Sequence, residues 1–269
     1  MHPPTYFEGA QETIGTVDAL WRYPVKSMAG QQLALAMIDG NGMEGDRLLA
    51  IFDEETGQIL TLRSAPQLLY AQATLPLKDP ISLDGVDIIL PNGCSIPALS
   101  AHESMSAWIG RALQIRSWEE RSSQSPGLDF FDYGFELDYS ASSNFGDTPK
   151  TLHVVSTATL AWVRRFGYTA DERRVRPNIV LDLGPEPFRE DELLGQTIRL
   201  GMVEVLCDQQ TERCSLLDTA QPGLEPSVGL RDHVFSSRQG NLGIYATVQT
   251  PGQIKAGDQV LLTGTATNE

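Results

Sequence analysis

The sequence predicts a mainly β protein with a few helices, of the barrel or sandwich type. Three observations lead there. Most apolar stretches are short, β-branched or aliphatic, and closed off by Gly, Pro, Asn or Asp. Only two segments carry helical spacing. Strands and helices also do not alternate as they do in a dinucleotide-binding fold. With 269 residues, 41% of them apolar, the chain can build one large domain or two ordinary ones.

The strand candidates, in order, are "TIGTVDALWRYPV", "LLAIFDEETGQILTL", "GVDIILPNG" and "NIVLDL". The second reads as a hairpin, two apolar arms around Glu55-Thr56-Gly57. In "QTIRLGMVEVLCD", Ile198 and Leu200 keep one alternating phase and Val203, Val205 and Cys207 the other. The slip at Gly201-Met202 marks a turn or a bulge. The C-terminal "GIYATVQTPGQIKAGDQVLLTG" reads as strands joined by Pro-Gly and Gly-Asp turns. One helix is expected after a capping box, Ser100 to Glu103, with Met105, Trp108, Ile109 and Ala112 at helical spacing. A second begins near Ser156-Thr157, carries Leu160 and Val163 on one face, and stops at Gly167.

Between Glu119 and Pro149 the chain becomes rich in Ser, Asp, Gly and aromatics and loses its period. It reads as a long loop or linker whose aromatics, Phe130 to Tyr139, pack on something. The expected division is residues 12–122, a linker at 123–149, and residues 150–266.

Lys and Arg total 20 against 35 Asp and Glu, a net charge of −15. Such a field repels nucleic acid and anionic lipid and suits a small-molecule substrate. No apolar run approaches a membrane span, and no basic-then-apolar leader opens the chain. Three scattered cysteines make neither a disulfide framework nor a four-cysteine iron–sulfur site. A reducing, cytoplasmic setting is the expectation.

Four segments have residues that could carry chemistry. In "RYPVKSMAG", Lys26 and Ser27 enter a Gly-closed turn, the kit for a phosphate, although Lys-Ser in a loop is ordinarily solvated surface. In "GDRLLAIFD", Arg47 opens a strand; it either aims at an anion or simply pairs with Asp46. In "DERRVRPNIVLDL", Arg173, Arg174 and Arg176 form the densest basic spot of an acidic chain, with Arg174 and Arg176 on one face if the segment is extended. The last is "QTERCSLLDTAQ": Cys207 reads as core and Cys94 as a turn filler, whereas Cys214 lies in a polar stretch and is the thiol expected at a site. The Cys207–Cys214 spacing is not that of a zinc site. His102 and His153 read as structural.

In this order, "LWRYPVKSMAG", "GDRLLAIFDEETGQILTLR", "LHVVSTATLAWV", "RRVRPNIVLD", "LLGQTIRLG", "RCSLLDTAQPG" and "GIYATVQTPGQIKAGDQVLL" resemble the MOSC family with its N-terminal β-barrel domain, from about Ile14 to about Leu262. The family takes its name from the C-terminal domain of molybdenum cofactor sulfurase and includes the amidoxime-reducing components. The resemblance implies two β-barrel-like domains holding a molybdenum cofactor (molybdopterin). It implies that Cys214 is the molybdenum ligand and catalytic centre. It places Lys26, Ser27, Arg47, Ser156, Thr157, Arg176, Asn178 and Tyr245 at the cofactor. A soft metal accepts a thiolate ligand, and arginines suit the cofactor's phosphate.

The implied activity is reduction of N-hydroxylated compounds such as amidoximes and hydroxylamines. Electrons would come from a separate donor protein of the ferredoxin or flavoprotein kind, since the chain shows no iron–sulfur domain of its own. The alternatives are a sulfur or molybdenum-cofactor carrier using a Cys214 persulfide, and a binding module without chemistry. Many bacterial relatives have Thr-Pro-Arg-Cys where this chain has Thr-Glu-Arg-Cys. If residues 212–216 are extended, Glu212, Cys214 and Leu216 share a face and Arg213 points away, which makes Glu212 the modifier of the thiol.

Overall fold

The computed structural model describes residues 12–77, 81–117 and 151–265. The expected linker at 123–149 and its aromatics lie outside the described residues.

The first half contributes β1 (Glu12–Arg22), β2 (Gln31–Leu33), β3 (Leu35–Asp39), β4 (Gly42–Met43), β5 (Leu49–Asp53), β6 (Gln72–Thr74), β7 (Asp87–Ile89), β8 (Ser95–Pro97) and β9 (Leu113–Ser117). The second half contributes β10 (Thr151–Ser156), β11 (Ile179–Asp182), β12 (Gln196–Leu200), β13 (Val203–Glu212), β14 (Asn241–Thr250), β15 (Gly252–Lys255) and β16 (Gln259–Thr265). Three α-helices complete the described residues: α1 (His102–Ile109), α2 (Thr157–Trp162) and α3 (Leu230–Arg238). None is long and apolar enough to cross a membrane.

Seven strands close into a barrel in the order β11-β10-β14-β13-β12-β16-β1, with β1 pairing back on β11. Closure pairs each of these seven strands on both sides, and β2 adds to the end of β1 as an eighth strand. Strand β1 comes from the N-terminal side of the expected boundary, so the sheet does not divide where the chain does. Alternation accounts for the packing. Val17, Val154, Ile179, Leu181, Ile244 and Ala246 fill the barrel, while Ala19, Val155 and Val180 point outward under α2 and α3. A bulge between Val17 and Ala19 adjusts the register there. A second core, including Val25, Met28, Leu49, Ile51, Leu68, Ile88 and Met105, belongs to the small sheets of the N-terminal barrel domain.

Several local expectations hold. Gly201-Met202 is a two-residue turn between β12 and β13, with Gly201 at φ 59°. Residues 53–58 turn as a hairpin, Asp53 donating its N–H to the Gln58 carbonyl at 2.8 Å. Its second arm is a single bridge, Phe52 to Ile59, and β5 takes β9 as its main partner. Ser156 caps α2, which tightens into a 3-10 turn and stops at left-handed Gly167. The Ser100–Glu103 capping box does not form. Helix α1 starts after Ala101 without a side-chain cap, because a 3-10 turn at Ala98–Ser100 leads straight into it. His102 instead accepts the Ile115 N–H on Nδ1 at 3.0 Å and ties the helix to β9.

Candidate functional site

Three candidate residues from separate segments share an unusual backbone. Ser27, Arg47 and Arg176 have φ of 70°, 51° and 55°. Left-handed geometry at a residue with a Cβ is strained by about 1–3 kcal/mol and persists only where surrounding structure enforces it. Arg47 and Arg176 both make contact with Tyr23, the residue after β1.

Tyr23 is 1% exposed. Its N–H donates to Asp46 Oδ1 at 2.7 Å, its carbonyl accepts the Arg47 N–H at 2.7 Å, and its hydroxyl donates to the Pro177 carbonyl at 3.2 Å. The Arg176 and Arg47 guanidinium carbons lie 4.1 Å and 5.3 Å from its ring centre, within cation–π range. Burial raises the phenol's pKa, so the ring stays neutral beneath the two cations.

The Lys26-Ser27 turn is held beside this ring. Lys26 donates its N–H to Leu49, Ala29 donates its N–H to Ala71, and Arg176 Nη1 donates to the Met28 carbonyl at 2.7 Å. Gly30 closes the turn against Tyr23: a Cβ there would sit 2.4 Å from the ring and 2.5 Å from the Arg22 carbonyl. Gly30→Ala is therefore expected to destabilise the protein by roughly 1–3 kcal/mol, as overpacking does. Urea unfolding of the two proteins checks this, and an unchanged midpoint would contradict the packing.

Asp46 both pairs with Arg47 and bridges segments. Its Oδ2 accepts from Arg47 and from Asn178 Nδ2 at 3.1 Å. Asn178 in turn accepts the His153 N–H at 3.2 Å and donates to the Trp21 carbonyl at 3.3 Å, so its amide already ties β1, β10 and the Asp46 loop together.

The three arginines of "ERRVR" part company, because residues 172–174 form a 3-10 turn rather than an extended face. Arg173 pairs with Asp171 at 2.7 Å. Arg174 reaches the carbonyls of Leu217, Thr219 and Glu225 at 3.4, 3.3 and 2.5 Å. Only Arg176 faces Tyr23.

Cys214 is half-buried where β13 gives way to a 3-10 turn at Ser215–Asp218. The extended run therefore stops at Cys214, and buried Leu216 does not share the exposed face of Glu212. Glu212 is exposed, whereas Arg213 is 9% exposed and donates through Nη2 to the Val175 carbonyl at 2.5 Å. The residue after Val175 is Arg176. Of the other thiols, Cys94 is exposed, and Cys207 is buried in the barrel with its pKa pushed up to about 12 by burial.

His153, Tyr23, Asp46 and Arg213 join the site without having been singled out for it. His153 is 3% exposed, with Nδ1 3.3 Å from the Arg176 carbonyl and its ring 5.7 Å from that of Tyr245. Burial first, then the Arg213 charge, depresses its pKa from 6.5 to about 3. The folded protein therefore holds this imidazole neutral, while the unfolded chain takes up a proton below about 6.5. The contribution of this group to stability is intact above that pH and falls by about 1.4 kcal/mol per pH unit toward about 3. Unfolding at pH 7 and pH 5 is expected to show a steeper loss for the wild type than for His153→Asn; parallel losses would contradict it.

Ser156 and Thr157 stand apart, along β10 from His153. The Ser156 hydroxyl accepts the Thr159 N–H at 3.1 Å and donates to the Thr159 hydroxyl, which donates to buried Glu190 at 3.0 Å. Thr157 lines an open cavity of about 660 Å³ with Asp18, Arg164, Glu172 and Asp182. Glu172 links that cavity to the Tyr23 cluster, its carbonyl accepting the Arg176 N–H at 2.7 Å.

Comparison with known proteins matches residues 14–114 to the MOSC N-terminal beta barrel domain and residues 141–261 to the MOSC domain. The chain belongs to the MOSC family. The MOSC match contains Arg176, Asn178, Cys214 and Tyr245, and the N-terminal match contains Lys26, Ser27 and Arg47, so the Tyr23 cluster draws on both. The chain is 25% identical to human mitochondrial amidoxime-reducing component 1, over 97% of this chain and 87% of the relative. It is 28% identical to the mouse protein of that name, over 94% and 84%. Among solved structures it resembles the YuaD protein from Bacillus subtilis, with a TM-score of 0.47, 12% identity, and 93% and 96% of the two chains covered.

Proposed function

We propose that this MOSC protein binds the molybdenum cofactor beside Tyr23 and acts as an oxidoreductase that reduces N-hydroxylated compounds such as amidoximes and hydroxylamines. The observation that carries the reading is the meeting of Arg47 and Arg176, each held left-handed, over one buried ring, with the left-handed Ser27 turn tied to Arg176 through the Met28 carbonyl. Family membership and the names of the mammalian relatives support it.

The residues present suit such a group. Lys26, Arg47, Arg176 and Arg213 are all at least nine-tenths buried in a chain of net charge −15. At an effective dielectric near 20, a phosphate charge about 4 Å from one of them is worth roughly 4 kcal/mol. The Arg213 Nε and His153 Nε2 are buried and have no hydrogen-bond partner among the described residues. Cys214 offers a half-buried thiol one residue from Arg213.

In this reading Lys26, Ser27, Arg47 and Arg176 hold the phosphate end and Cys214 ligates the metal. When bound, the cofactor supplies two-electron reduction with removal of oxygen from nitrogen. The chain's part is to orient it and keep water from its phosphate. Neutral His153 supports the Arg176 backbone without adding charge. Electrons come from a separate donor protein.

The test is metal and pterin analysis after expression in a cofactor-competent host, followed by a reductase assay with a generic hydroxylamine and a chemical reductant. About one molybdenum per chain and turnover are expected; protein without molybdenum or pterin would sink the reading.

A further inference from the structure

We infer that Arg213 is a positioning residue, which locks the Cys214 turn onto the segment that carries Arg176. The inference deepens the proposed function and rests on it for the role of Cys214.

Locally Cys214 is held by one long bond, its carbonyl accepting the Leu217 N–H at 3.4 Å, and the turn after it by Thr219, which donates its N–H to Leu216 and its hydroxyl to Ser215. Cys214 sits at φ −101° and ψ −174°, has no side-chain cap, and leads into a turn of only four residues. Further ties to the turn are long-range. Arg213 donates its N–H to the Gly240 carbonyl at 2.8 Å and Nη2 to the Val175 carbonyl at 2.5 Å. From the other side, Arg174 reaches the Leu217 and Thr219 carbonyls. Residues 174–175 therefore hold the turn on both flanks of the thiol. The next residue, Arg176, reaches across to Met28 beside the Lys26-Ser27 turn. One run of hydrogen bonds so joins the thiol, the arginine over Tyr23 and the Lys-Ser turn, three segments far apart in sequence.

Stability alone does not account for an arginine here. Its guanidinium is buried against a carbonyl oxygen, with Nε left without a partner among the described residues. Its charge also bears on buried His153, as does that of Arg47. Burying a cation this way is unfavourable, and an apolar side chain of similar length would fill the space without the desolvation penalty. What the arginine adds is reach and a directed donor.

The test is hydrogen exchange on cofactor-free protein, with molybdenum content read separately. Arg213→Met is expected to exchange at least tenfold faster across residues 214–219, with the barrel strands unchanged. Arg213→Lys, which keeps a donor near the Val175 carbonyl, restores most of the protection. In the cofactor-competent host, molybdenum per chain falls at least fivefold in Arg213→Met and recovers in Arg213→Lys. If Arg213→Met does not fold, Arg213→Gln is measured by the same criteria. Exchange at 214–219 within twofold of wild type, an increase spread evenly over the whole chain, or no recovery with lysine would each overturn the inference. A wild-type protein without molybdenum would instead defeat the functional reading and leave the exchange result standing.

Discussion

Cys214→Ala is expected to fold as the wild type does and to carry at least tenfold less molybdenum, with reductase activity at background. The physical case has two halves. The thiol is half-buried at a strand end and not part of either barrel core, so removing one sulfur changes little packing. A thermal midpoint within a few degrees of wild type follows. The metal end of the cofactor, however, loses the one protein ligand proposed for it, while the arginines proposed for its phosphate remain. Residual pterin with little molybdenum is the signature that separates loss of a ligand from loss of the whole site. Full molybdenum content and activity in the variant would refute the role of Cys214. A persulfide trapped on Cys214 and passed to an acceptor would favour the carrier function instead.

Arg176→Gly is expected to leave stability nearly unchanged while lowering cofactor content at least tenfold. At φ 55° the arginine backbone is strained, and glycine adopts that geometry freely. Relief of about 1–2 kcal/mol is offset by a similar loss from the cation–π contact and the tie to Met28. Arg176→Ala keeps the strain and loses the contacts, so it is expected to be the less stable of the two. Urea unfolding of all three proteins with pterin analysis checks both points. An Arg176→Gly protein with wild-type cofactor content would show that the strained arginine serves something else. A stability–function trade is the usual reason that strained residues cluster at sites.

How much of this was legible beforehand varies with the range of the interaction concerned. The β12–β13 turn at Gly201-Met202 was readable, because a change of alternating phase is a local signal. The end of the second helix at Gly167 was readable for the same reason. The capping box expected at Ser100–Glu103 does not form, since residues 98–100 make a 3-10 turn that leads straight into the helix. Of the arginines in "ERRVR", composition located the basic spot but could not choose Arg176, because the choice depends on a 3-10 turn and on Tyr23, more than 150 residues earlier. Left-handed backbone at Ser27, Arg47 and Arg176 has no sequence signal when no glycine marks it. Glu212 is exposed and Arg213 buried, as alternation gives, but the 3-10 turn that opens at Ser215 keeps alternation from running on to Leu216.

By itself the sequence determined the β-rich class, several of the turns and the motif segments. These depend on residue type and on neighbours a few positions away, where period and turn chemistry act. Only the tertiary structure decided that β1 closes a barrel built from the other end of the chain. It alone made Tyr23 the seat of two arginines and turned Arg213 inward. Those outcomes depend on contacts between distant segments, whose partners are chosen when two cores close around buried groups whose hydrogen bonds must be met.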